Sequence, residues 1–192
     1  MLKILYCDIS KVKLGTVENL ELPKLRKEYV LKITDEKRKI QSILVWKLLE
    51  YALSSFNLTN FEFFQDKSGK WSLENGEKIN FSLTHSHNIV AVAVSDEGSV
   101  GLDVEKISEK IVPTKKLYTA NEINTTLKAY PNFNIEEILT FLWTKKESAF
   151  KSNINYGFYT EKITDEAKNR YILTVCSEYS AEVEQINIDK IV

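Results

Sequence analysis

The chain is sparing with the residues that mark special environments: 192 residues contain two cysteines, two histidines, three prolines and six glycines. Cys7 and Cys176 each sit in an apolar run that reads as a strand. Buried free thiols are therefore expected, with no disulfide or cysteine-bound metal, which suits a reducing cytoplasm. So few prolines and glycines leave no linker rich in either, and there is no repeat or low-complexity tract, so any domain division must be inconspicuous. The stretch Lys106 to Pro113 is the best candidate junction. Net charge is also lacking, at −1 with a pI near 6.2, so the chain as a whole does not read as a nucleic-acid binder. No apolar run approaches the roughly 20 residues that cross a bilayer. The opening Met1–Asp8 is too short for a secretory signal and has no small-residue cleavage site. The expectation is a soluble, cytoplasmic protein with neither a membrane nor a nucleic-acid partner.

What is present is a core, since 43% of the residues are apolar, enough to fold without an external staple. Met1 to Asp8 reads as a strand. From about Asp35, Ile40, Leu44, Leu48, Tyr51 and Ala52 recur at helical steps, with Thr34 and Asp35 as candidate caps. After the polar loop Gln65 to Lys70 come two apolar strands, Asn88 to Val94 and Val100 to Val104, separated by Ser95-Asp96-Glu97-Gly98-Ser99, which predicts a hairpin. A second long helix should start at Asn134, with Glu137 completing a capping box, and run to about Lys151. Tyr171 to Val175 and Glu182 to Ile191 alternate as half-buried strands do. The class is α+β.

Within the strand Val100 to Val104 and just beyond it, Asp103 and Glu105 stand two residues apart. Strand geometry puts them on one side, about 6.5–7 Å from each other, while Leu102 and Val104 face the core. Two oxygen donors at that spacing suit Mg²⁺, which takes one or two carboxylates and completes its shell with water and substrate phosphate. Acidic alternation also occurs on any solvated strand. Here, however, Asp103 is enclosed by Val100, Leu102 and Val104, and a carboxylate in such a place needs a partner. A third acid, Glu147, shares an apolar helix stripe with Leu139, Trp143 and Phe150; a salt bridge to Lys151 is the alternative use for it.

These segments together resemble the paired signature of the 4'-phosphopantetheinyl transferase superfamily. Gly101-Leu102-Asp103-Val104-Glu105-Lys106 is similar to its Gly-x-Asp-x-Glu, and Leu142 to Lys151 to its Trp-x-x-Lys-Glu-Ser/Ala with a Lys four residues after the Glu. Upstream, Phe81 to Ser86 resembles Phe-Asn-x-Ser-His-Ser, and Gly69-Lys70 resembles a Gly-Lys-Pro loop. Leu117 to Glu122 resembles the Phe-x-x-x-x-Glu stretch between the two main motifs. The likeness runs from about Leu22 to Lys151. Trp71 stands where the family has Pro, Ser82 where it has Asn, and Asn155-Tyr156-Gly157 where a glycine-lysine-glycine often follows.

The resemblance implies the larger, pseudo-dimeric type that modifies peptide synthetase and other carrier proteins. It implies two similar α+β halves, residues 1–105 and 106–192, with the active site between them, and a monomer. The implied reaction moves phosphopantetheine from coenzyme A to a carrier-protein serine with Mg²⁺ and releases 3',5'-ADP. By the same resemblance Asp103, Glu105 and Glu147 hold the metal, and Glu147 or a metal-bound water is the base. His85, Lys146 and Lys151 meet phosphate, with Thr84, Gly69 and Lys70 beside the coenzyme. The family's remaining basic contacts fall between Lys24 and Lys47, which holds eight basic residues against three acidic ones. Arg26, Lys37 and Arg38 are the candidates there, although an ungapped match sets Tyr29 and Gln41 on two of the family's basic positions. A non-catalytic coenzyme-binding module and a diphosphate hydrolase are the competing readings.

Overall fold

The structure is a computed structural model, and it describes residues 1–56, 62–67, 69–73, 78–108, 117–180 and 182–192. Two sheets stand face to face between two long helices. The first sheet has the order β4-β5-β1-β9, from β1 (Leu2–Asp8), β4 (Asn80–Ser86), β5 (Ile89–Ser95) and β9 (Val183–Gln185). Its pairs are antiparallel except β1 with β9. The second has the order β6-β8-β7, all antiparallel, from β6 (Val100–Lys106), β7 (Phe158–Thr164) and β8 (Arg170–Ser177). A small hairpin of β2 (Phe63–Gln65) and β3 (Trp71–Leu73) lies apart.

Every residue of β5 is buried because the strand is covered on both faces. Val90, Val92 and Val94 pack with α3 (Glu36–Ser54), while Ile89, Ala91 and Ala93 meet Val100, Leu102, Val104, Leu173 and Val175 of the second sheet. A strand with two apolar faces reads as a continuous apolar run, and Ile89-Val90-Ala91-Val92-Ala93-Val94 is one. Helix α5 (Ile135–Ser152) covers the other face of the second sheet. The short α4 (Ala120–Ala129) docks on α5 through Ile123, Ile138 and Leu139. Ahead of α3 lie α1 (Leu14–Val17) and α2 (Lys24–Leu31).

Both long helices start as expected. Asp35 caps α3 by accepting from the Arg38 amide, and Asn134 and Glu137 form a reciprocal capping box on α5. Glu137 also accepts from Lys162 and Arg170, each at 2.9 Å, which pins the start of α5 to the second sheet. At the other end Gly101 sets the spacing. A Cβ there would lie 1.9 Å from the Ser148 carbonyl oxygen, so only glycine lets α5 approach β6 this closely. Both cysteines are buried and free.

Two expectations are corrected. β5 and β6 do not form a hairpin, because β5 already has β4 and β1 on its two edges, and β6 pairs with β8. The hairpin is β4–β5, turning through His87 at φ +51°. Glu182 to Ile191 is not one strand either: only Val183–Gln185 pairs, and Ile188–Lys190 is a 3₁₀ turn. The junction expected near Lys106 to Pro113 lies largely outside the described residues, and the dividing line after Glu105 falls one residue before the end of β6. Among the described residues no helix is long and apolar enough to cross a membrane.

Candidate functional site

The two sheets meet along a seam between β4 and β6, and the seam is made by side chains. The hydroxyls of Ser82, Thr84 and Ser86 accept from the amides of Leu102, Val104 and Lys106 at 2.9, 3.3 and 3.1 Å. Alternate residues of a strand share one face, so three hydroxyls at steps of two run beside the neighbouring backbone. Two of them also donate: Thr84 to Asp103 Oδ1 at 3.1 Å and Ser86 to Glu105 Oε2 at 2.7 Å. Both carboxylates are thereby aimed by the strand opposite. This alternation of hydroxyls was visible in the sequence, but its use depends on β4 and β6 lying side by side.

From α5, Lys151 reaches the same place, with Nζ 2.7 Å from Asp103 Oδ1 and 3.0 Å from the Leu102 carbonyl oxygen. Asp103 is only 5% exposed, and its Oδ2 is buried with no hydrogen-bond partner among the described residues. Burial pushes its carboxyl above the usual range, against the pull of Lys151 and Thr84. Burial likewise raises Glu105, with the Ser86 hydrogen bond opposing and the charge of Asp103 adding to the rise. Two carboxylates that gain so little from their surroundings are short of positive charge.

They open onto a cleft of about 700 Å³, whose walls include Arg26, Tyr29, Arg38, Trp71, Thr84, His85 and Lys151. Arg26, 8% exposed, donates from Nη2 to the Ser42 carbonyl at 3.0 Å, and its guanidinium carbon lies 5.1 Å from the ring centroids of both Tyr29 and Trp46. Among the described residues its buried Nε has no hydrogen-bond partner and no carboxylate pairs with it. Burial pulls this guanidinium down to about 10, so it remains a cation at neutral pH. His85 opens onto the cleft between protein walls. The residue stays exposed at the cleft mouth, but the surrounding protein takes away part of its hydration, and this, followed by the charges of Arg26, Lys151 and Arg38, holds it below its ordinary value. Three cations acting on one imidazole describe a pocket built for an anion.

The other expected residues stand elsewhere. Lys37 is outside the cleft, with Nζ 3.0 Å from His87 Nδ1 and 2.8 Å from Asn88 Oδ1. One helical step of about 100° separates it from Arg38, enough to turn it away. Lys70 lines a separate cavity of about 50 Å³ that shares Trp71 and Lys151 with the cleft; Gly69, at φ +87°, lines neither. Lys146 is exposed, 5.9 Å from the Trp143 ring centroid. Glu147 is half-buried, and its charge acts on both Asp103 and Glu105. Among the described residues it has no side-chain hydrogen bond or ion pair, so the salt bridge to Lys151 is not made: Lys151 has gone to Asp103. Of the two ambiguous positions, Tyr29 lies in the cleft, whereas Gln41 is buried and donates to the His87 carbonyl at 2.8 Å.

Among the described residues no three Asp, Glu, His or Cys side chains are grouped tightly enough to hold a metal ion as they stand. Asp103 and Glu105 nevertheless fit a hard divalent cation. All the donors are oxygen, one oxygen is buried without a partner, and phosphate and water can complete the shell. No protein-family model matches the chain, and no curated protein matches it either.

Proposed function

We propose that the chain is a 4'-phosphopantetheinyl transferase, moving phosphopantetheine from coenzyme A to a serine of an apo carrier protein and releasing 3',5'-ADP. The observation that carries this is the meeting, in one cleft, of Arg26, Arg38, His85 and Lys151 with the carboxylates Asp103 and Glu105, the first of which keeps a buried oxygen with no partner among the described residues. A diphosphate with a further phosphate at one end needs both: cations for its oxygens, and carboxylates to retain the ion that bridges it. Two sheets, each backed by one long helix, with the cleft beside the seam where they meet, suit the pseudo-twofold fold of that superfamily. A cytoplasmic monomer is part of the same reading.

In the reaction, the carrier serine attacks the phosphorus on the pantetheine side and the bond to the ADP phosphate breaks. Asp103 and Glu105, with Glu147 as the third carboxylate, would hold Mg²⁺, which when bound neutralises charge on the diphosphate as it builds. Arg26 and Arg38 take the phosphates at the nucleotide end. His85, whose imidazole is held below its ordinary value by burial and then by its cationic neighbours, meets a phosphate of the coenzyme, whose negative charge would favour its protonated form. Glu147, which has no side-chain hydrogen bond or ion pair among the described residues, is also placed to act as the base for the serine proton. Lys151 meets the departing phosphate.

The test is incubation of the intact chain with coenzyme A, Mg²⁺ and a panel of apo carrier proteins, reading the mass of each acceptor. A phosphopantetheine increment on at least one acceptor is expected. Nucleotide released with no acceptor present would instead indicate a diphosphate hydrolase, and neither product would leave only a binding module.

A further inference from the structure

Lys151 occupies the carboxylate that the proposed reading assigns to the cation. Asp103 Oδ1 accepts from both Lys151 and Thr84, whereas Oδ2 accepts from nothing among the described residues. Beside it stand Glu105 and Glu147: the charge of Glu147 acts on both other carboxylates, and that of Asp103 acts on Glu105. One ammonium among three carboxylates leaves two negative charges unbalanced, which matches a dication. Yet an ammonium 2.7 Å from Oδ1 and a dication on the same carboxylate would repel each other at contact distance. The side chain has space to leave: it is 29% exposed and borders both the main cleft and the smaller cavity beside it.

We propose that Lys151 is a tethered stand-in for the divalent cation: it holds Asp103 in the free protein and yields it when metal and diphosphate arrive together, transferring its hydrogen bonds to a phosphate oxygen. This rests on the coenzyme-binding reading above. Two consequences follow from the exchange. Metal alone must break the Lys151–Asp103 contact with nothing to receive the ammonium, so it binds weakly. Metal with coenzyme A offers a new partner, so each ligand strengthens the other. The arrangement also keeps a buried carboxylate paired whenever the cleft is empty.

The experiment is Mn²⁺ binding to the full chain, read as loss of the free-ion EPR signal, with and without coenzyme A. Without coenzyme A, Lys151→Met should bind Mn²⁺ about tenfold more tightly than the parent, because a charge-assisted competitor is gone. The strengthening that coenzyme A gives to Mn²⁺ binding should shrink by a similar factor. Adding Asp103→Asn to Lys151→Met should abolish the gain. If Lys151→Met binds Mn²⁺ no more tightly than the parent while coenzyme A still strengthens binding to the parent, the exchange is wrong and the coenzyme reading stands. If Lys151→Met does bind more tightly but coenzyme A changes nothing in either protein, Lys151 competes with the metal for Asp103, while the transfer to a phosphate oxygen is overturned and the coenzyme reading falls with it. Should the variant fail to fold, the parent chain decides: the ¹⁵N signal of the Lys151 ammonium must shift on adding Mg²⁺ and coenzyme A together, and an unmoved signal overturns the exchange.

Discussion

Two aspartates, Asp103 and Asp165, are buried to nearly the same degree, at 5% and 2% exposure, and both lie where the two sheets are tied together. Their carboxyls are driven in opposite directions. Asp165, in the turn between β7 and β8, accepts from the Asn169 amide and side chain, from Tyr171 and from Asn88, all at 2.8 Å. Burial pushes its carboxyl up, but these bonds outweigh it and hold the group down at about 2. Asp103 meets one ammonium and one hydroxyl on a single oxygen, and burial wins. The saturated carboxylate has nothing left to offer a ligand, and its place is to join the β4–β5 turn to the β7–β8 turn. The starved one keeps an oxygen in reserve beside a cationic cleft. A buried acid with fewer partners than it has room for is a better marker of a site than burial alone.

The contrast is broken most directly at Asp103. Asp103→Asn should lower transfer to a carrier protein by roughly a thousandfold, about 4 kcal/mol of transition-state stabilisation, by weakening the hold on the cation. Its effect on folding should be small, within about 1 kcal/mol, because the lysine left behind reaches solvent and is not stranded. Steady-state transfer kinetics and urea unfolding of the same preparation check both halves. An active variant would remove Asp103 from the site.

The reverse pattern is expected at Asp165. Asp165→Asn should cost about 3 kcal/mol of stability at neutral pH, since an amide group would face the donors of Asn88, Asn169 and Tyr171, while the folded protein keeps its turnover. The pH dependence has a definite sign. With a folded value near 2 against an ordinary 3.8, the folded state holds fewer protons than the unfolded one between them. Its contribution is therefore complete above about pH 4 and fades as pH falls through 2, amounting to about 2 kcal/mol. Urea unfolding from pH 7 down to 2 should show the gap between parent and variant closing by that amount; a constant gap would mean that the charge of Asp165 is not what stabilises the turn.

How far the sequence could be read follows the range of each interaction. The cap and capping box on the long helices were legible because their partners lie three residues apart, at Asp35 with Arg38 and Asn134 with Glu137. The shared face of Asp103 and Glu105 was legible for the same reason. The β5–β6 hairpin was misread because turn composition does not say which edge a strand will use, and β5 had both edges taken. The charge between Lys24 and Lys47 was legible as a density, but not which way each residue points. Arg26 reaches the cleft from between Tyr29 and Trp46, and Lys37 is turned onto His87 and Asn88. Asp165 carries no signal in the sequence, since its partners come from two separate turns.

The smallest effect belongs to the seam that aims Asp103, and it tests whether pairing or aiming matters more there. Thr84→Val keeps the shape of the side chain but loses the hydroxyl that accepts from the Val104 amide and donates to Asp103 Oδ1. An amide left without its acceptor should cost about 1–2 kcal/mol in urea unfolding. Transfer should fall by only about ten- to a hundredfold, because a group that orients a ligand contributes less than the ligand itself. Lys151 still reaches Asp103 Oδ1 in that variant. The lost activity should therefore appear as a higher Mg²⁺ requirement that saturating metal largely restores. A loss that no concentration of Mg²⁺ recovers would mean that Thr84 meets the coenzyme directly, in which case its hydroxyl belongs to the cleft more than to the seam.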